Sequence, residues 1–295
     1  MGNNVITDDD DKSKAPLSDA ELKAHLLKNS VNTGAVSTGT QGETSDVPTE
    51  HIELPSKGWF YPEGHPLASG FIEMKYMTAK EEDILASQNL IKKGIVVDKL
   101  LQSLIVTKIN YNDLLTIDKN AVFIAARILA YGEDYNVEIT CPKCEEKQPQ
   151  SINLQEFETK DVDWSIFERG SGTFKFKLPL AKKTLTIKLS SHGDEKDIER
   201  LSKSNKKASK ASGIERDLTT RLKSIITAID DDEDQTEINK FVDNMLSRDS
   251  LALRQYLKKA TPDIDTTFYY ECDSCGHEVV DMSMPIEVEF FWPGA

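Results

Sequence analysis

Apolar positions recur along this chain with two different periods, and each change of period marks an element. Gly70 to Tyr76 alternates apolar and polar side chains, as a half-buried strand does. Thr78-Ala79-Lys80-Glu81 has the spacing of a capping box, which predicts a helix from there to about Lys93 with Gly94 as its stop. Val97, Leu100, Leu101, Leu104 and Ile105 mark a further helix. In the next, Asp118 is placed to cap the start, and Val122, Phe123, Ala126, Ile128 and Leu129 form a broad apolar face ending at Tyr131-Gly132. Arg127, inside that helix, reads as a carboxylate partner or a contact to the helix C-terminus rather than as chemistry.

Strand patterning then returns over Tyr135 to Thr140 and Gln150 to Leu154, an expected hairpin. Thr173 to Leu178 and Thr184 to Leu189 predict a second antiparallel pair. After Gly193 the pattern is helical: Ile214 to Ile229 reads as one amphipathic helix, and two more are expected around Ile238 to Leu246 and Leu251 to Leu257. Asp230 to Asp234 lacks the glycine and alternate ligand spacing of a calcium loop and reads as solvent-facing. Pro262 stops the last helix, a strand is expected from about Thr266, and Met284 to Pro293 reads as a strand with an aromatic tip. That tip, Phe290-Phe291-Trp292, is either tucked against the core or held by a neighbouring chain.

The fold class implied is α+β, helices plus antiparallel strands behind an N-terminal tail. The expected organisation is a flexible acidic tail over 1–50, a strand-helix region over 51–134, a first knuckle with antiparallel strands over 135–192, a helical insertion over 193–262, and a second knuckle with the C-terminal strand over 263–295. The first 50 residues are rich in Asp, Ser, Thr, Gly and Asn and lack the apolar surface that offsets ordering. Within them, Ser18 to Glu21 is another capping box, followed by Leu22, Leu26 and Leu27 on one helical face, a candidate docking segment. From His51 to Pro62, Pro55, Gly58 and Pro62 exclude a helix.

Composition narrows the function classes. The 295 residues are 38% hydrophobic and 29% charged, and no apolar run is long enough to span a membrane. The start has no apolar signal core, so synthesis in a reducing cytoplasm is expected. A net charge of −14 opposes phosphate backbones. The basic segment 200–210, with Arg200, Lys203, Lys206, Lys207 and Lys210, is the exception, read as a solvated face or a contact to an acidic partner.

Candidate chemistry rests on the cysteines. All four lie in two knuckles, Cys141-Pro142-Lys143-Cys144 and Cys272-Asp273-Ser274-Cys275-Gly276-His277. Two C-x-x-C knuckles supply the four soft ligands of a closed structural zinc site, and one shared zinc is the expectation, with a redox pair, disulfides or unligated thiols as alternatives. The 127 residues from 145 to 271 separate the knuckles, against about twenty or fewer in an ordinary ribbon, so a shared ion requires strands 135–154 and 266–291 to be adjacent. His277 is near enough to substitute as a ligand, although four cysteines already fill the site. No phosphate-cradling loop, nucleophile elbow or His-Glu-x-x-His motif occurs, so an enzyme is not expected.

Several short motifs, in order, carry a resemblance. They are Leu54-Pro55-Ser56-Lys57-Gly58 with Tyr61-Pro62, Glu81-Glu82, Arg127 to Gly132 before the Cys-Pro-x-Cys knuckle, Asp249 to Tyr256, the Cys-x-x-Cys-Gly-His knuckle and Phe290-Phe291. In these the chain, from about residue 50 to 295, resembles the baseplate hub and hub-assembly proteins of T-even-type bacteriophages. The resemblance implies a structural or assembly part of the baseplate, made in the host cytoplasm, without catalytic residues and binding other hub or tail proteins. A tail-assembly chaperone that leaves the finished particle and a zinc-ribbon protein binding nucleic acid through 200–210 are the competing readings. Leu22, Leu26, Phe290, Phe291 and Trp292 are the candidate partner contacts.

Overall fold

Strand β1 (Thr49–Glu53) lies antiparallel to β2 (Phe71–Lys75), and between them runs a tight connection dictated by Pro55, Gly58 and Pro62. Gly58 has φ +75°, and a Cβ there would stand 2.4 Å from the Ala68 carbonyl oxygen, so only glycine allows this approach. The structure, a computed structural model, describes residues 47–208, 217–286 and 290–292, apart from the side chains of 205–208. The predicted tail with Leu22 and Leu26 lies outside the described residues, as do the side chains of Lys206, Lys207 and Lys210. Eight α-helices and nine strands in antiparallel sheets are found among the described residues, an α+β fold.

The predicted capped helix exists but breaks. Helix α1 (Ala79–Ala86) has the full capping box, and Ser87, with ψ 100°, leaves the helical region and opens α2 (Gln88–Lys92) before Gly94. Serine favours such boundaries because its hydroxyl competes for backbone groups. Helix α3 (Val96–Leu104) buries Val96, Leu100, Leu101 and Leu104, and Ile105 bridges back to Met74.

Helix α4 (Thr116–Tyr131) is the central element, but Asp118 is not its cap: the cap position is Leu115. Asp118 is fully buried in the first turn, where it accepts the Ser56 N–H at 2.9 Å and the Tyr61 hydroxyl at 2.7 Å. The Tyr61 oxygen in turn accepts the Leu115 N–H at 3.1 Å. The Pro-Ser-Lys-Gly segment is thus fastened to the front of α4. At its other end the buried Arg127 guanidinium donates to the carbonyls of Gly132 and Asp134 at 3.0 and 3.1 Å, the C-terminal contact anticipated for it.

Strands β3 (Asp134–Thr140) and β4 (Lys147–Asn153) form the first-knuckle hairpin. The predicted pair β5 (Thr173–Lys177) and β6 (Thr184–Lys188) is present, with a third strand that sequence reading assigned to a helix. Helix α5 (His192–Ala208) is followed by α6 (Asp217–Ile225), which stops at Ile225, and β7 (Ile226–Ile229) pairs with β6. Ile225, Ile226, Thr227 and Ile229 are β-branched, and β6 offers them a buried ladder, so pairing overrides the helical period. The segment 193–262 is therefore knitted into the sheet and is not a purely helical insertion.

The acidic run works locally rather than only facing water. Asp230 accepts the Thr184 N–H at 2.8 Å, Asp231 pairs with Lys175 at 2.7 Å, and Asp234 caps α7 (Gln235–Asp243). Helix α8 (Ser247–Ala260) follows, and its buried Asp249 accepts the N–H groups of Leu180 and Ala181, at 2.8 and 2.9 Å, in the β5–β6 turn. Strands β8 (Thr267–Glu271) and β9 (Glu278–Ser283) make the second-knuckle hairpin. Met284 to Ile286 lie outside any strand, contrary to expectation, and 287–289 are outside the described residues.

Candidate metal centre

Each knuckle is the tip of a hairpin, and the two tips share one backbone design. In the first, the Cys141 N–H donates to the Glu146 carbonyl at 2.8 Å and the Glu145 N–H to the Cys141 carbonyl at 3.0 Å. In the second, the Cys272 N–H donates to the His277 carbonyl at 3.0 Å and the Gly276 N–H to the Cys272 carbonyl at 2.8 Å. The residue after the second cysteine is left-handed in both, with φ 61° at Glu145 and at Gly276. Glycine takes that conformation freely and glutamate does not, so the first tip holds local strain in return for the same shape.

These tips bring the four thiols together from opposite halves of the chain. All four sulfur atoms lie within 4.8 Å of one another, with Cys141 Sγ 3.8 Å from Cys275 Sγ and Cys144 Sγ 3.6 Å from Cys272 Sγ. A tetrahedral ion bound at about 2.3 Å to each sulfur requires sulfur pairs about 3.8 Å apart, which the two cross-hairpin pairs match and which the cluster as a whole reaches with a small inward movement. Cys141 and Cys272 are buried and Cys144 and Cys275 exposed. Burial alone would raise the Cys141 thiol, but the Cys144 and Lys143 amides aimed at its sulfur outweigh it and bring it down to about 6. Cys272 is likewise lowered against its burial by the Cys275 and Ser274 amides. Such amides favour the thiolate, the form that binds metal, at these two sulfurs; at Cys144 the Glu146 amide is outweighed by burial and the neighbouring thiols, and at Cys275 burial and those thiols prevail, so both are raised.

The residue that sequence reading missed is Gln148 on β4. Its buried side chain donates through Nε2 to the Glu271 carbonyl and accepts at Oε1 from the Asp273 N–H, both at 2.9 Å. One amide therefore grips the second knuckle on either side of Cys272. One of two glutamines in a polar strand, it carries no spacing signal that would reveal this. The hairpins adjoin, as a shared ion requires, but through thiols and this amide rather than a common ladder. Tyr270, fully buried beside them, has its hydroxyl without a hydrogen-bond partner, and burial and then the neighbouring Cys272 thiol raise its pKa.

The aromatic tip is tucked. Phe290 and Phe291 are 1% and 2% exposed; Phe123 stacks on Phe290 with centroids 4.8 Å apart, and Tyr135 meets it edge-on at 5.0 Å. These two rings are core side chains, and the expectation that they face a partner gives way to their burial. Trp292 is half-buried. In the basic segment, Arg200 pairs with Asp197 and Lys203 with Glu199 on the same helix.

A family model described as T4 bacteriophage base plate protein matches residues 52–292. The chain belongs to that family. The match spans both knuckles, α4 and the tucked tip, so the site and the elements that build it all lie inside the family region. No curated protein and no solved structure matches the chain. No described helix is long and apolar enough to cross a membrane.

Proposed function

We propose that this baseplate family member is a non-enzymatic hub component or hub-assembly factor, acting by binding other baseplate or tail proteins, with one structural zinc in the four-cysteine cluster. The observation that carries the reading is the thiol tetrad, whose spacing suits zinc and whose four donors leave no coordination position open for substrate. Cys141, Cys144, Cys272 and Cys275 would hold the ion, which closes a loop of more than a hundred residues and stiffens the platform between the hairpins. The family match supports a virion part, and the host cytoplasm is the reducing compartment in which free thiols could load zinc. Trp292 and the segment around Leu22 and Leu26 are retained as candidate partner contacts.

Affinity capture of the tagged chain from infected cells, together with mass spectrometry of purified particles, tests the reading. A hub component co-purifies with baseplate proteins and is present in particles. A tail-assembly chaperone co-purifies but is absent from particles. Recovery of the chain with nucleic acid alone would contradict both.

A further inference from the structure

We propose that copies of this chain associate head to tail, the basic outer face of α8 on one copy receiving the acidic outer face of the β8–β9 hairpin on the next. The two faces are opposite in charge, and both carry exposed apolar side chains. On α8, Arg248, Leu251, Arg254, Lys258 and Lys259 are all exposed and fall on one stripe at helical spacing. The only acid of that helix, Asp249, is buried, and none of the four cations has an ion-pair partner among the described residues. Asp249 fastens the β5–β6 turn to the first turn of the helix, so Leu180 and Lys182 stand at that end of the stripe, with Leu246 just before it. Leu180, Leu246 and Leu251 are 42–53% exposed. Cations spread at helical spacing around a buried acid form no run in the sequence, so this face shows only in the fold.

In the hairpin, strand alternation puts Tyr269 and Glu271 on the side opposite the buried Tyr270, and the ladder sets Glu278 across from Glu271 with Val280 on the same side. Tyr269 is 53% and Val280 71% exposed. Two carboxylates directly opposite in a ladder repel, and neither has a cation partner among the described residues. A cation brought by a second copy therefore relieves a cost already present. Arginine and tyrosine are side chains that interfaces favour, and opposed charges fix the orientation of docking. Exposed leucines gain nothing from a phosphate backbone, and a net charge of −14 opposes one, which favours an acidic protein face over nucleic acid. The same net charge opposes a second copy at long range, but physiological salt screens it beyond about 8 Å. Two different patches in contact make a heterologous interface, which closes into a ring or runs on as a filament. The proposal stands apart from the hub and zinc readings, neither of which requires self-association.

The test reads the mass of the full chain in solution, by light scattering across a concentration series at physiological salt. The wild-type chain should rise above the mass of one copy as concentration increases. Arg248→Glu with Arg254→Glu, which reverses the basic face, and Glu278→Lys with Val280→Lys, which reverses the acidic one, should each stay at the mass of one copy. An equimolar mixture of the two variants should recover a two-copy species, because each supplies the intact face that the other lacks, and a variant that failed to fold could not do so. Lys92→Glu with Lys93→Glu makes the same charge change on exposed residues elsewhere and should associate as the wild type does. A wild-type chain that stays at one copy throughout would overturn the proposal, including the case in which the α8 face instead retains nucleic acid or another acidic protein. Association untouched by both reversals, or a mixture that stays at one copy, would overturn it as well.

Discussion

The Gln148 side-chain oxygen accepts the Asp273 backbone N–H at 2.9 Å across 125 positions of sequence. With the reciprocal bond to the Glu271 carbonyl, it makes one buried amide the polar latch between the two halves of the metal centre. Gln148→Ala leaves the part-buried Glu271 carbonyl and Asp273 amide without this partner, and should destabilise the chain by about 1–2 kcal/mol in urea unfolding. It should also weaken metal retention against a chelator. Gln148→Glu keeps the acceptor but loses the donor and should do comparable harm. Wild-type stability in the alanine variant would refute the latch.

Asp249 holds the β5–β6 turn with a carboxylate that receives two backbone N–H groups, from Leu180 and Ala181. Hydrogen bonds to a charged acceptor contribute more than neutral ones, so Asp249→Ala should cost about 2–4 kcal/mol. Asp249→Asn retains one acceptor and should fall between. Urea midpoints of the two variants check the order.

Two buried carboxylates give opposite pH dependences. Burial would raise Glu81, but Lys75, Thr78 and Ser103 outweigh it and hold it down to about 2. Its contribution is full above the ordinary carboxylate pKa and is lost as pH falls toward about 2. Burial pushes Asp118 up to about 6 despite hydrogen bonds from Tyr61 and Ser56, so its contribution is present at low pH and is lost as pH rises through about 6. Asp118→Asn keeps an acceptor for Ser56 and should flatten the stability profile between pH 4 and about 6, measured by thermal unfolding.

Phe290 sits between Phe123 and Tyr135, with the Arg127 guanidinium 6.0 Å from its ring centroid. Truncation to alanine removes a buried aromatic and should cost about 3–5 kcal/mol. Trp292→Ala, at a half-buried position, should cost much less. A neutral Phe290→Ala that abolished partner capture would instead place this ring at an interface.

Much of the architecture was legible because local chemistry and period agreed. The capping box at Thr78, the alternation of β2 and the knuckles all announce their structure from adjacent residues, and the expectation that distant cysteines meet is matched by their convergence. What escaped notice is what depends on partners far away in sequence. The run from Ile225 to Ile229 leaves its helix because β6 is there to receive it. Asp118 looks like a cap until Ser56 and Tyr61 arrive from 62 and 57 positions earlier to claim its oxygens. Gln148 is invisible for the same reason, since its partners lie on a hairpin at the other end of the chain.

The central claim is that one ion joins the two hairpins, and X-ray absorption at the zinc edge on purified native protein tests it most directly. The account predicts one zinc per chain surrounded by four sulfur atoms at about 2.3 Å, with no free thiols until the metal is removed. Protein free of metal, with four thiols titrating freely in the folded state, would contradict it.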